Sequence, residues 1–136
     1  METINLWSIL VASVVAFAIS AVWYSPILFG KEWMSLTNIN EKDIAIAKTK
    51  GVTLFYVIQF IFTVISFCVL GFVMSALGTR TASDGAFLGL IAWVGFVLPV
   101  GVSNLMWEKK PFKLVLINTI STLLTLVVGG AIIGAW

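Results

Sequence analysis

The sequence contains no histidine, a single cysteine and three prolines, and charged residues fill only 10% of its 136 positions. Each scarcity excludes something. Without histidine there is no side chain that ordinarily titrates near neutral pH, and the commonest metal ligand is absent. One cysteine, Cys68, forms neither an internal disulfide nor a thiolate metal cluster. A soluble domain carries roughly 25% charged residues and, at this length, needs them to cover its outside. Eight basic and six acidic residues provide no concentrated basic surface, so nucleic acid is not an expected partner. What fills the sequence instead is apolar: 60% of residues are hydrophobic and the mean hydropathy is +1.10. The expected surroundings are a lipid bilayer.

A hydrocarbon core of about 30 Å requires roughly 20 apolar residues of helix. Four uncharged stretches of that length are present, at about residues 4–24, 52–77, 86–107 and 114–136. Their length and lack of alternation predict helices rather than barrel strands, because a spanning segment must satisfy its own backbone hydrogen bonds. The expected fold is an all-α membrane protein, a single domain over residues 1–136 with four transmembrane helices in an antiparallel bundle. Ala16-Phe17-Ala18 resembles a signal-peptide cleavage site, but the segment carries Glu2 and has no Lys or Arg before Lys31. A signal peptide begins with positive charge, so the first span is expected to be retained.

Charge placement predicts orientation. The first connection holds Lys31, Lys42, Lys48 and Lys50, the third holds Lys109, Lys110 and Lys113, and the second holds only Arg80. Seven basic residues against one place connections one and three in the cytoplasm and both termini on the non-cytoplasmic side. Pro26 is expected to end the first helix at Ser25. In the connection 25–51, expected to be partly helical, Asn40 and Asp43 have capping-box spacing, with Ile39 and Ile44 placed as a hydrophobic staple. The second helix is accordingly expected to begin near Glu41 and run on into its span. The alternative is a solvated, frayed connection. Gly78 should stop the second span, Ser83 or Asp84 should cap the third, and Pro111 should separate the third from the fourth. Trp7, Trp23, Tyr24, Trp33, Trp107 and Trp136 sit near span ends, where amphipathic rings prefer the headgroup layer.

Helices in lipid associate through small and hydrogen-bonding residues, so stripes of these indicate facing surfaces. The second span carries Tyr56, Gln59, Thr63 and Ser66 on one face, and the fourth carries Asn118, Thr122 and Thr125. These residues are the candidate polar interior, either interhelical hydrogen bonds or the lining of a polar pathway. Gly85-x-x-x-Gly89 and Gly130-x-x-x-Gly134 match the close-packing pattern of lipid-embedded helices. Pro99 removes a hydrogen bond to the carbonyl of Gly95, and Gly95 and Gly101 loosen the same turns, so a helix break is expected there. Broken helices form sites in transporters, but no ionisable group accompanies this one, and it reads as a packing kink. No Asp, Glu, Lys or Arg lies well inside any span, which excludes a proton relay supplied by this chain alone. No catalytic, cofactor-binding or metal-ligating constellation is visible, and no enzymatic activity is expected.

The run Trp23-Tyr24-Ser25-Pro26-Ile27-Leu28-Phe29-Gly30-Lys31-Glu32-Trp33 resembles the signature of small bacterial membrane proteins grouped as domain of unknown function 1761. The helix before the second span, Pro99, Trp107-Glu108-Lys109-Lys110-Pro111 and the Gly-rich last helix follow in the same order. The last helix departs from the pattern at Gly129-Gly130 and Gly134-Ala135-Trp136, where a Met-Gly pair is common. The resemblance implies four spans in a bacterial cytoplasmic membrane and no assigned activity. Physically, the run reads as an interface corner. Pro26 ends the helix, Gly30 permits a turn, and Trp23, Tyr24, Phe29 and Trp33 seat it among headgroups. With Ser25 and with Trp107, Glu108 and Lys109, these form a candidate cytoplasmic-interface site, in which Glu108 is available to pair with Lys31 or to accept backbone hydrogen bonds. The leading expectation is a non-enzymatic membrane subunit that forms a homo-oligomer or a small membrane complex. A minimal transporter or channel for a neutral solute, or a lipid-binding protein, is the alternative.

Overall fold

A computed structural model describes residues 5–136, all helical or connecting, with no strand among them. The helices are α1 (Leu6–Trp23), α2 (Gly30–Leu36), α3 (Glu41–Thr49), α4 (Thr53–Leu77), α5 (Ala82–Met106) and α6 (Phe112–Ala135). Four of them, α1, α4, α5 and α6, are long and apolar enough to cross a membrane. The expected start of the first span at Ile4 lies outside the described residues.

Local chemistry accounts for the boundaries. Asn5 caps α1 by accepting the Trp7 N–H at 2.9 Å. Asn40 and Asp43 form a reciprocal capping box at the start of α3, with bonds of 2.8 and 3.1 Å. The chain does not continue smoothly from α3 into α4, however. Gly51 takes the left-handed conformation, φ +91°, and splits the expected single helix in two. At the end of α4, Gly78 is again left-handed, φ +72°, and the N–H of Thr79 reaches back to the carbonyl of Met74. That combination returns orphan carbonyls to hydrogen bonding and stops the helix. The cap of α5 is Thr81, two to three residues earlier than expected, with its hydroxyl accepting the Asp84 N–H at 3.1 Å. A third span beginning at 86 is thus corrected to one beginning at Ala82, because Ser83 and Asp84 are inside the first turn.

Pro99 leaves its mark upstream of itself. Within α5 the helix widens into a π-helical segment over Trp93–Val97, and the Leu98 N–H bonds to the carbonyl of Trp93, five residues back. Gly95 has open space where a side chain would stand, whereas Gly101 is buried against Thr119 and Val115 of α6. The break therefore turns its loosened face outward while the next turn packs.

α6 is the central element, touching α1, α4 and α5. Its contact with α5 brings backbone against backbone: a Cβ added at Gly85 would collide with the carbonyl of Gly130, and one at Gly89 with that of Leu126. Gly134 in turn lies under the carbonyl of Thr81. The buried apolar cluster is Ile9, Ala12, Ala16, Phe67, Leu70 and Met74, drawn from α1 and the second half of α4. Phe67 lies where a Gly129 side chain would otherwise stand. The first half of α4, through Ser66, contains no buried residue.

Candidate functional site

The signature run folds into a compact corner between α1 and α2. Ser25 donates its hydroxyl to the carbonyl of Val22 at 2.6 Å, and its own carbonyl accepts the N–H groups of Leu28 and Gly30. Pro26 stands exposed in the turn. Gly30 is buried with the carbonyls of Tyr24 and Ser25 where a Cβ would lie, so only glycine fits. The aromatic rings are not simply laid out toward headgroups. Trp23 stacks on Phe29 at 4.5 Å and donates its indole N–H to the carbonyl of Ile117 in α6 at 3.1 Å. Tyr24 meets Trp33 edge to face at 6.0 Å and donates its hydroxyl to Asn118 Oδ1 at 2.8 Å. Phenols ordinarily lose their proton only near pH 10, so this donor is intact at physiological pH.

An ion pair completes the corner. Lys113, in the first turn of α6, lies 2.9 Å from Glu32 in α2. Glu32 Oε2 is fully buried and makes no aligned hydrogen bond, so Lys113 is the charge that balances it. The expected pairing of Glu108 with Lys31 is not formed: Glu108 pairs with Lys110 at 3.2 Å, within its own connection. Trp107 is 81% exposed, and Lys109 is exposed with φ +52°. The third connection thus meets the corner through Lys113 rather than through Trp107, Glu108 and Lys109. The physical reason is its tight turn, in which the Lys110 N–H bonds to the carbonyl of Asn104 and holds residues 107–109 outward.

The polar stripes do not face one another. On α6, Asn118 is engaged by Tyr24, Thr122 donates to the carbonyl of Asn118 at 3.1 Å, and Thr125 donates to that of Thr122 at 2.9 Å. On α4, Thr63 donates to the carbonyl of Gln59 at 2.8 Å and Ser66 to that of Phe62 at 3.0 Å. Among the described residues, no hydrogen bond joins the two stripes, and Gln59 is exposed with no partner for its carboxamide. Tyr56 is 55% exposed, and its ring meets Phe17 of α1 at 6.2 Å. The α4 stripe was expected inside; it lies on the outside. Α shallow groove of about 310 Å³ beside it, lined by Phe17, Thr53, Tyr56, Val57, Phe60 and Ile61, is apolar.

Two features escape a reading of stripes and motifs. Trp93, in the π-helical segment, donates its indole N–H to the carbonyl of Thr119 at 2.7 Å. Trp23 and Trp93 therefore hold carbonyls two residues apart on α6, from α1 and α5 respectively. The second feature is a half-open cup of about 260 Å³ at the other end of the helices, whose lining includes Asn5, Ser8, Ser75, Thr79, Arg80 and Trp136. The isolation of Arg80 from every other basic residue was the sequence signal for it.

Four helices long and apolar enough to cross a membrane define a multi-pass helical membrane protein. The chain belongs to the family described as "Protein of unknown function (DUF1761)", whose profile matches residues 7–134, nearly the whole length. Comparison with curated proteins and with solved structures gives no match.

Proposed function

We propose that the protein is a non-enzymatic subunit of the bacterial cytoplasmic membrane that associates with a second copy of itself through the polar face of α4. In this reading the spans form an antiparallel bundle with both termini on the non-cytoplasmic side. The observation that carries it is Gln59: a carboxamide nearly two turns into a spanning helix that begins at Thr53, facing outward with no partner among the described residues. An unsatisfied amide in hydrocarbon costs several kcal/mol. A glutamine both donates and accepts, so two copies related by a twofold axis satisfy each other through the same residue. Tyr56 offers a second such group one turn away. The first half of α4 is also the part of any span least covered by the rest of the chain, which leaves room for a neighbour. A solute pathway between the stripes of α4 and α6 has no comparable support, since those stripes diverge.

The test is the association constant of the full chain in mild detergent by sedimentation equilibrium. Interhelical hydrogen bonds in membranes are worth about 0.6 to 2 kcal/mol, so Gln59→Leu should weaken association by about 3- to 30-fold. Gln59→Asn should restore part of it. A wild-type chain that remains monomeric at every protein-to-detergent ratio would overturn the reading.

A further inference from the structure

The cup at the Arg80 end is built from three spans and one connection: Asn5 and Ser8 come from the start of α1, Met74 and Ser75 from the end of α4, Thr79 and Arg80 from the α4–α5 connection, and Ile133 from α6. Its polar lining includes hydrogen-bond donors, although the Ser8 hydroxyl spends its own on the Asn5 carbonyl at 2.6 Å. The Asn5 Oδ1 is already committed to the cap of α1, which leaves its amide N–H₂ to offer. The Thr79 hydroxyl has no partner among the described residues, and its backbone N–H is spent on Met74. Arg80 adds the one positive side chain between Lys50 and Lys109. It is already engaged in an interaction, and a guanidinium carries five N–H donors in a fixed fork. Among the described residues no Asp or Glu side chain lines the cup, while Met74 and Ile133 give it an apolar side.

The Asn5 amide and Thr79 hydroxyl donors, one guanidinium and an apolar wall match an oxyanion attached to something greasy. The position adds to this. The cup lies where α1 begins at Leu6, α4 ends at Leu77 and α6 ends at Ala135, which is the depth at which a bilayer places its phosphates. We propose that this cup binds a phosphate group at the membrane surface, gripped by Arg80 and oriented by Asn5 and Thr79. Arginine binds phosphate in bidentate fashion, and neutral donors then select the remaining oxygens. The phosphate belongs either to a phospholipid headgroup or to a soluble phosphate. The inference is independent of self-association, because none of the cup residues lies on the Gln59 stripe.

Native mass spectrometry of the full chain released from nonionic detergent tests it, with phosphatidylglycerol, diacylglycerol and inorganic phosphate as probes. The expected result is one retained phosphatidylglycerol per chain and no retained diacylglycerol. If 10-fold excess inorganic phosphate leaves that adduct in place, the source is the lipid; if it displaces the adduct, the site takes soluble phosphate, and either outcome supports the cup. Arg80→Gln should lower occupancy about tenfold, the loss of one charged hydrogen-bonding partner. Thr79→Val should lower it about threefold, whereas Lys48→Gln, a cation on α3, should leave it unchanged. Far-UV circular dichroism checks each variant; if Arg80→Gln unfolds, Arg80→Lys and Thr79→Val carry the comparison. Equal retention of diacylglycerol, no retention of either phosphate probe, or wild-type occupancy in the folded Arg80 and Thr79 variants overturns the proposal.

Discussion

Gly130 has no room for a methyl group. Its Cβ direction points at the carbonyl of Gly85 on the neighbouring helix, and that carbonyl belongs to backbone that no rotamer change can move. Gly130→Ala should therefore push α5 and α6 apart, and overpacking of this kind costs typically about 1–3 kcal/mol. Gly95 provides the internal comparison, since the space around it is open. Gly95→Ala should leave stability unchanged or raise it by up to about 1 kcal/mol, because the site accepts a methyl group and the unfolded chain becomes stiffer. Reversible unfolding in mixed micelles, followed by far-UV circular dichroism, distinguishes the two; equal losses would mean that the α5–α6 contact is not the tight one. The same residues show what a sequence can reveal about packing in lipid. The spacing of Gly85, Gly89, Gly130 and Gly134 was legible because small residues four apart have few other uses in a spanning helix. Tyr56, Gln59, Thr63 and Ser66 were legible as one face but not as an outward face. A helical wheel assigns residues to a side, and lipid is as apolar as a protein core, so hydropathy cannot tell which side is covered.

Helix ends are set by chemistry confined to a few residues, which is why most of them could be read directly. The Asn40 and Asp43 capping box and the Gly78 stop depend on neighbours in the chain and on nothing distant. Gly78→Ala tests this at the level of the element. A left-handed alanine costs about 1–2 kcal/mol, and the stiffer unfolded chain returns about 0.4–1 kcal/mol of it. The net loss should be about 1 kcal/mol, measured by the same unfolding experiment, with the helix content of the folded state unchanged. Two boundaries were not legible for the same kind of reason. Gly51 divides α3 from α4 by taking φ +91°, a choice that a lone glycine in a helical pattern does not announce. Trp93 became a ligand of the Thr119 carbonyl because Pro99 widened the helix before it, a displacement that follows from three-dimensional packing and not from spacing. The corner of Trp23, Tyr24, Phe29 and Trp33 combines both cases. Its turn was readable from Pro26 and Gly30, whereas its attachment to Ile117, Asn118 and Lys113 requires contacts more than eighty residues away in the chain.

At the scale of the whole molecule, the two ends differ in charge more than in anything else. The end closed by α2, α3 and the third connection carries seven lysines, and the opposite end carries Arg80 alone among side-chain cations. The Glu32–Lys113 pair physically ties the first connection to the start of α6, so these lysines share one side. The positive-inside rule predicts that this side faces the cytoplasm. Cysteine accessibility decides the matter in intact cells. In a Cys68→Ala background, Ser83→Cys beside the Arg80 cup should react with a membrane-impermeant maleimide added outside, while Ser35→Cys in α2 and Lys109→Cys in the third connection should react only after the membrane is permeabilised. All three positions are exposed in the structure, so a failure to label cannot be ascribed to burial. Labelling of Ser35→Cys and Lys109→Cys from outside would invert the orientation and move the cup to the cytoplasmic leaflet. Labelling of all three positions in intact cells would mean that both orientations coexist, a result that seven lysines against one arginine should not permit.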